Sequence, residues 1–220
     1  MNAAREALIA AGVRLLERDG LPALSARSVA AEAGTSTMAL YTHAGGMAGL
    51  LDAIAADVFV RFTHALTEVA QTDDPVADFL AMGLAYHEFA IANPQPYQLI
   101  FGTTGPASLM AYRSDITVTG SATNRTEWAA SFGALHSAVH RMMAAGRIRD
   151  DDELAVAGRL WSINHGAVML EMAGFFGHQG HGLTQILGPL IIDTLVGMGD
   201  DRDAATLSLN TVVATLAANS

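Results

Sequence analysis

LSARSVAAEAGTSTMALYTHAGG, residues 24–46, contains two short stretches of helical patterning on either side of a glycine. Ser25 stands where it can cap a helix over about residues 26–33, because a serine hydroxyl accepts hydrogen bonds from the first free backbone amides. Thr35 or Ser36 can cap a second helix, which is expected to run to about His43. The segment is therefore predicted to form two short helices joined by a tight turn.

The spacing between these two helices is that of a helix-turn-helix. Such a motif needs a small residue where the helices approach, a glycine able to take a positive φ in the turn, and an apolar anchor on the second helix. Ala30, Gly34 and Leu40 meet the three needs in register. An amphipathic helix predicted over residues 3–19, with Leu8 on its apolar face, supplies the third helix of a compact head.

Short polar side chains cluster on and just before the second helix. Hydroxyl, guanidinium and aromatic hydroxyl groups are the kinds that bind phosphates and base edges in the DNA major groove. Another interpretation is that the short hydroxyl residues only cap two short helices. The candidate DNA-contacting residues are Ser25, Arg27, Thr35, Ser36, Thr37, Tyr41, Thr42 and His43.

Residues 24–46 resemble the DNA-binding segment of the TetR (tetracycline repressor) family, and the resemblance covers about residues 5–55. It implies a three-helix head that leads into a long fourth helix. Two positions depart from the family pattern: Ala44 stands where the family usually has Phe, and Met47 where many members have Lys. The first thins the packing behind the second helix of the motif, and the second removes a possible phosphate contact.

The rest of the chain is predicted to be helical, which makes the fold all-α. We expect a helix-turn-helix DNA-binding domain over residues 1–46 and a helical-bundle domain for ligand binding and dimerisation over residues 47–220. The Gly-, Thr- and Ser-rich residues 102–124 are predicted to form a long loop. The expected helices span residues 47–70, 75–92, 97–101, 125–145, 152–175, 184–198 and 203–217, with Pro189 either starting or kinking the second last.

The body contains a second resemblance. The stretches YHEFAIANPQPYQLIFG, residues 86–102, and WSINHG, residues 161–166, are similar to a TetR subfamily whose ligand-binding domain carries a Trp-x-x-x-His-Gly signature. In this sequence the signature falls on Trp161, His165 and Gly166. The resemblance implies a regulator that is a homodimer and that responds to a small molecule.

Aromatic and polar side chains at helical spacing suggest where that ligand binds. Ligand sites in helical bundles are mostly apolar, with a few polar groups that fix orientation. The alternative for each of these residues is an ordinary place in the core. The candidate ligand-binding residues are Phe62, Tyr86, Phe89, Tyr97, Phe101, Trp128, Trp161, His165 and Met169. An apolar or aromatic small molecule is implied by this lining and by the resemblance.

The charge is uneven along the chain. The formal net charge is −10, but residues 1–50 contain four Arg and four acidic residues, so the whole excess lies in the body. A head with few cations is expected to bind DNA weakly and with a shallow salt dependence, so two heads held together in a dimer would help. A dimer of this kind predicts a palindromic operator as the partner.

Composition limits the remaining possibilities. The chain has no Cys, which excludes disulfides, thiolate metal sites and cysteine nucleophiles. We expect a cytoplasmic protein with no membrane partner, because no signal-peptide pattern and no uncharged apolar run of about 18 residues is present.

The helix over residues 152–175 is apolar on two faces, which predicts two packing partners. The resemblance to the TetR family implies that one face contacts the domain core and the ligand pocket, and that the other packs against the same helix of a second subunit. The second apolar face contains Leu160, Ile163, Ala167 and Leu170. The alternative is a helix central to its own bundle.

Two other classes of function remain open at the level of sequence. A metal-dependent enzyme would use His136 and His140, spaced i, i+4, or His178 and His181, but no complete metal or nucleophile motif accompanies them. We therefore expect no enzyme activity, no metal and no cofactor. The other alternative is a helical interaction protein whose head no longer binds DNA, which Ala44, Met47 and the absence of Lys would explain.

Overall fold

The computed structural model describes residues 3–102, 107–121, 123–177 and 179–219, and every structural statement below concerns these ranges. They form an all-α protein in which an N-terminal three-helix head is followed by a helical bundle. The only extended pairing within them is a single bridge between Arg113 and Thr123. This agrees with the fold class predicted from the sequence.

The head consists of α1 (Ala3–Asp19), α2 (Ala26–Glu32) and α3 (Thr37–Ala44). The hydroxyl of Ser25 accepts a hydrogen bond from the Ser28 amide and caps α2, while Ser36 caps α3 through the Ala39 amide. Gly34 lies in the turn between the two helices with φ +64°, as the pattern predicts. Leu8, Val29, Ala30 and Leu40 meet in the buried core of the head.

Glycines form the joint between α3 and α4 (Gly46–Thr67). Gly45 and Gly46 have φ values of +71° and +75°, a region that side chains with a Cβ rarely adopt. A Cβ on Gly49 would lie 2.1 Å from the carbonyl oxygen of Ala44, and one on Gly46 would lie 3.2 Å from the ring of Tyr41. The HAGG sequence therefore sets the angle at which the head meets the long helix.

Gly46→Ala is expected to lower the free energy of unfolding by about 1–2 kcal/mol, because alanine is strained at this φ. Thermal unfolding followed by circular dichroism measures the change. Gly133→Ala, in the interior of α9 (Thr126–Ala144), is the matched control: nothing lies within 4 Å of its added Cβ. That variant should gain about 0.5–1 kcal/mol. Equal behaviour of the two variants would contradict the role given to the joint.

The bundle is built around α4, which packs against the head on one side and against α9 and α5 (Pro75–Ala92) on the other. Asp74 caps α5, with Pro75 in its first turn, and Asp152 caps α10 (Glu153–Met172). The remaining helices are α6 (Pro94–Phe101), α7 (Ala107–Met110), α8 (Ile116–Thr119), a π-helix (Gly182–Leu187), α11 (Gly188–Gly197) and α12 (Arg202–Asn219).

The structure differs from the sequence-based expectations in three places. The stretch predicted as one loop, residues 102–124, contains the single-turn helices α7 and α8 within its described part. The helix expected over residues 184–198 is a π-helix that continues into α11. The latter begins at Gly188 with Pro189 in its first turn, which is one of the two roles predicted for this proline. On the face of α10 that the resemblance assigns to a second subunit, Leu160 and Ala167 are buried inside their own subunit, whereas Leu170 is 46% exposed.

No single helix in the described ranges has the length and apolarity needed to cross a membrane; by length and composition alone the bent pair α3 and α4, which meet at 62°, passes that test jointly.

Candidate functional site

The face of α3 that points away from the protein carries the side chains predicted to contact DNA. Tyr41 is 62% exposed, and Thr37 and Thr42 are exposed beside it. Ser25, Arg27, Thr35 and Ser36 are also exposed, whereas His43 is half-buried. The head thus presents seven of the eight candidates to solvent.

Met38 is a member of this exposed face that the sequence reasoning missed. Its side chain is 70% exposed although it is apolar, and it lies one helical turn before Tyr41 and Thr42. The sequence contained a signal for this, because Tyr41 and Thr42 follow Met38 at i+3 and i+4 and so share its face of the helix. Apolar side chains at such positions can contact the methyl group of thymine.

The hydroxyl groups on this surface differ in what they can still donate. The Ser36 oxygen accepts the capping bond from Ala39, which leaves its own proton available. Thr42 donates its proton to the Met38 carbonyl oxygen. Ser25 is joined to Ser28 in a reciprocal capping box, so its hydroxyl is committed inside the head. Of these three residues, Ser36 therefore keeps a donor for a phosphate.

Several cations of the head are paired with acidic neighbours. Arg14 lies 3.0 Å from Glu32, and Arg18 lies 2.8 Å from Asp19 and 3.5 Å from Glu32. Arg27 is exposed at the start of α2 and takes part in none of these pairs. Few positively charged side chains of the head are therefore left to bind phosphates.

A cavity of about 730 Å³ lies in the centre of the bundle. Apolar side chains from α4, α5, α6, α9, α10, α11 and α12 form most of its wall, among them Phe59, Phe62, Phe79, Leu160 and Ile191. The polar groups at its surface include those of Arg113, Asn164 and His165. A cavity of this size and lining suits a mainly apolar molecule held by a few polar contacts.

Tyrosine, histidine and tryptophan side chains form a hydrogen-bonded cluster at the cavity wall. The hydroxyl oxygens of Tyr86 and Tyr97 are 2.6 Å apart, and both lie near Nδ1 of His165, at 3.0 Å and 2.6 Å. Trp161 Nε1 donates to the Tyr86 hydroxyl at 3.3 Å. The cluster joins α5, α6 and α10.

Burial sets the protonation of this cluster. It raises the pKa of Tyr86 to about 12 and raises the pKa of Tyr97 further, so both remain protonated at neutral pH. Burial, together with the positive charge of Arg113, lowers the pKa of His165. The imidazole is therefore neutral at neutral pH and can accept a hydrogen bond at one ring nitrogen.

Five of the nine predicted ligand-binding residues line the cavity: Phe62, Tyr86, Phe101, Trp161 and His165. The others do not, or are not described. Tyr97 is completely buried. Phe89 packs against Phe62, and the centroids of these two rings are 5.2 Å apart. Met169 packs against the core without lining the cavity, and the side chain of Trp128 lies outside the described part of the structure.

The residues that sequence reasoning missed fall into two groups. Phe59 lies three residues before Phe62 on the same face of α4, so helical spacing could have found it. Leu183, Ile191 and Val212 reach the cavity only because the π-helix, α11 and α12 dock on the bundle. No local pattern in the sequence signals that docking.

Two of the four histidines considered for a metal site have a protein partner. His136 and His140 both pair with Glu153, at 2.9 Å and 2.7 Å. His181 is exposed, and His178 lies outside the described residues. Among the described residues no group of three or more His, Cys, Asp or Glu side chains could hold a metal ion.

An exposed helix-turn-helix on a helical bundle with a central cavity defines a DNA-binding transcription regulator. Residues 8–54 match the family model of bacterial regulatory proteins of the TetR family. Residues 79–188, half of the chain, match the model of the tetracyclin repressor-like C-terminal domain. The chain belongs to the TetR family, whose members are DNA-binding regulators and not enzymes. No curated protein sequence matches it significantly.

Solved structures share this fold over most of the chain. A protein of unknown function from Rhodococcus sp. RHA1 is 23% identical over 96% of this chain and 94% of that one, with a TM-score of 0.62. A TetR-family transcriptional regulator from Haemophilus influenzae is 19% identical over 84% and 92%, with a TM-score of 0.56. RolR in complex with resorcinol is 14% identical over 93% and 92%, with a TM-score of 0.59.

Proposed function

We propose that this chain is a repressor of TetR type, which binds a palindromic operator as a homodimer and is released by a small apolar or aromatic ligand. Residues 1–46 would bind the operator and residues 47–220 would bind the effector and the second subunit. The observation that carries the proposal is the combination of the exposed polar face of α3 with the apolar cavity behind α4.

The exposed face of α3 supports DNA contact by Thr35, Ser36, Thr37, Tyr41 and Thr42. Ser36 keeps a hydroxyl proton for a phosphate, and Arg27 adds a cation at the start of α2. We assign Ser25 and the half-buried His43 supporting roles within the head. Met38 joins the surface as a contact for a thymine methyl.

The lining of the cavity supports an apolar or aromatic effector. Phe62, Phe101 and Trp161 give flat apolar walls, and His165 and Tyr86 give polar groups. The Trp-x-x-x-His-Gly signature of the proposed subfamily would then supply one apolar wall, Trp161, and one polar group, His165, from neighbouring turns of α10. RolR, which binds the aromatic molecule resorcinol, shares the fold and is consistent with this choice.

Exposed apolar side chains support a homodimer. Leu170 on α10 is 46% exposed, and Ile186 and Leu190, on the adjoining π-helix and α11, are 41% and 43% exposed. A patch of this kind on neighbouring helices suits a self-complementary interface. Sedimentation at micromolar concentration should give a species of twice 23.0 kDa, and a single 23.0 kDa species would contradict the homodimer.

The effector would act through the long helix α4. This helix packs against α1 and α3 in the head and lines the cavity with Phe59 and Phe62. A ligand shifts an equilibrium only if it binds one conformation more tightly than the other. We expect the effector to favour the conformation of α4 in which the two heads no longer match the operator.

Selection of bound duplexes from a random DNA pool tests the proposal, and a palindromic winner is the expected result. Arg27→Ala should weaken binding to that duplex by about tenfold and reduce the slope of log K against log salt by about 1, because one phosphate contact is lost. Tyr41→Phe should weaken binding without changing the slope, since only a neutral hydroxyl is removed.

Arg149→Ala is the matched control, because Arg149 is exposed in the body and its guanidinium is bonded to the Gly197 carbonyl. It should leave the operator affinity unchanged. Failure to enrich any duplex with protein stripped of bound ligand by unfolding and refolding would favour the interaction protein with a degenerate head.

A further inference from the structure

The hydrogen-bond cluster at the cavity wall contains one group whose proton can be assigned by counting donors and acceptors. Tyr86 is 6% exposed and Tyr97 is completely buried, so their hydroxyl protons need hydrogen-bond acceptors. Among the described residues, the two hydroxyls contact each other, His165 Nδ1 and Trp161 Nε1. Trp161 Nε1 can only donate.

A proton on His165 Nδ1 leaves this count unbalanced. Nδ1 would donate to one hydroxyl oxygen, one tyrosine proton would go to the other tyrosine, and the second tyrosine proton would have no acceptor among the described residues. A buried hydroxyl without an acceptor loses its hydrogen bond to water and gains nothing in return. This argument applies equally to the neutral Nδ1–H tautomer and to the doubly protonated ring.

An unprotonated Nδ1 satisfies every member. Trp161 Nε1–H donates to the Tyr86 oxygen, Tyr86 donates to the Tyr97 oxygen, and Tyr97 donates to His165 Nδ1, its shorter contact at 2.6 Å. If the two tyrosines exchange roles, Nδ1 is again the acceptor. The neutral ring must then carry its proton on Nε2, which bonds to no described residue, while the His165 side chain lines the cavity.

We propose that the Tyr86–Tyr97 pair locks His165 as the Nε2–H tautomer, so that the cavity offers a fixed hydrogen-bond donor and the effector carries a matching acceptor on an apolar frame. This inference rests on the proposed function, since it specifies the effector of that same cavity. The class it defines is an aromatic or polycyclic molecule with a carbonyl, ester or ether oxygen. A pure hydrocarbon would leave the Nε2–H proton without a partner.

The tautomer can be tested without any effector. Long-range ¹H–¹⁵N correlation spectra of the imidazole rings distinguish the two neutral tautomers and the charged ring, and the signals of His165 are those lost in His165→Asn. We expect the Nε2–H pattern at neutral pH in the wild type. The double variant Tyr86→Phe/Tyr97→Phe keeps the ring volumes and removes both donors, so it should give a mixture of tautomers. An Nδ1–H or charged pattern in the wild type overturns the proposal.

The acceptor is tested with two probes of nearly equal shape, 2-acetylnaphthalene and 2-isopropenylnaphthalene, followed by quenching of tryptophan fluorescence. The ketone should bind the wild type about tenfold more tightly, as expected for one hydrogen bond to an otherwise unpaired donor. In His165→Asn the amide oxygen can replace Nδ1 as acceptor for the tyrosines, but the shorter side chain places no N–H at the position of Nε2. The two probes should therefore bind equally.

The outcomes separate this inference from the function on which it rests. Equal binding of the two probes to the wild type overturns the acceptor class and leaves the cavity as an apolar effector site. Binding of neither probe argues against the cavity as an effector site and overturns the proposed release mechanism together with the inference. Circular dichroism of His165→Asn checks that a loss of discrimination does not come from unfolding.

Discussion

Arg147→Met is expected to lower the free energy of unfolding by about 3–5 kcal/mol, because it removes the partner of a buried carboxylate. Arg147 binds Asp200 with two parallel hydrogen bonds of 2.8 Å and 3.0 Å, and the side chain of Asp200 is only 2% exposed. The same guanidinium reaches Asp74, the cap of α5, at 2.8 Å. Ser208 on α12 donates to the other oxygen of Asp74 at 2.6 Å. Arg147 thus links the segment after α9 to the start of α5 and to the segment just before α12.

Chemical denaturation followed by circular dichroism measures this loss. Arg159→Met is the matched control, since Arg159 forms an exposed pair with Asp151 and should change stability by less than about 1 kcal/mol. The double variant Arg147→Met/Asp200→Asn should recover part of the loss, because it no longer buries an unpaired charge. Equal effects of the two single variants would mean that the network contributes no more than a surface ion pair.

Phe62→Ala is expected to lower the free energy of unfolding by about 3–5 kcal/mol, the usual range for a buried phenylalanine. Phe62 is 2% exposed, and its ring lies 5.1 Å from Tyr86, 5.2 Å from Phe89 and 5.4 Å from Phe101. Its removal enlarges a cavity that already exists and breaks three edge or tilted ring contacts. Thermal or denaturant unfolding of the purified variant gives the measured value.

Val60→Ala serves as the control for this substitution, since Val60 lies on the same helix and is 62% exposed. Its effect should stay within about 0.5 kcal/mol. Phe62→Leu, which fills much of the volume, should cost less than Phe62→Ala and is the better variant for measuring effector response in a folded protein. A loss below about 1 kcal/mol for Phe62→Ala would contradict the close packing around this ring.

The parts of the fold that the sequence predicted well are helix starts and helix bounds, because these depend on interactions between residues close together in the chain. Ser25, Ser36 and Asp74 cap helices in the structure because a short side-chain oxygen one residue before a helix satisfies its free amides. The helix predicted from Pro75 to Ala92 has those bounds in the structure. In each case the signal and its effect lie within one or two turns of the same helix.

Predictions that depend on which helices dock together were less successful. Phe62 and Phe89 are both aromatic and their rings are in contact, yet Phe62 lines the cavity and Phe89 does not. Which ring reaches the cavity depends on how α5 is rotated against α4. Leu160 lies on the face of α10 that the resemblance assigns to a second subunit, but it is buried within its own chain, where α10 packs against α9 and the π-helix. Helical periodicity identifies the apolar faces of a helix but not the partner that covers each face.

In the head, Arg14 pairs with Glu32, and Arg18 pairs with Asp19 and Glu32. These pairs affect how a regulator of this kind distributes between its operator and non-specific sites on the chromosome. Non-specific sites in a genome outnumber an operator by about a millionfold or more, and their attraction for a protein grows with each phosphate that it neutralises. A head with few unpaired cations is held weakly by this excess. More of the protein then remains in free solution, so a small number of copies can occupy the operator. An effector of the proposed kind would then compete with recognition of one sequence rather than with binding to the whole chromosome.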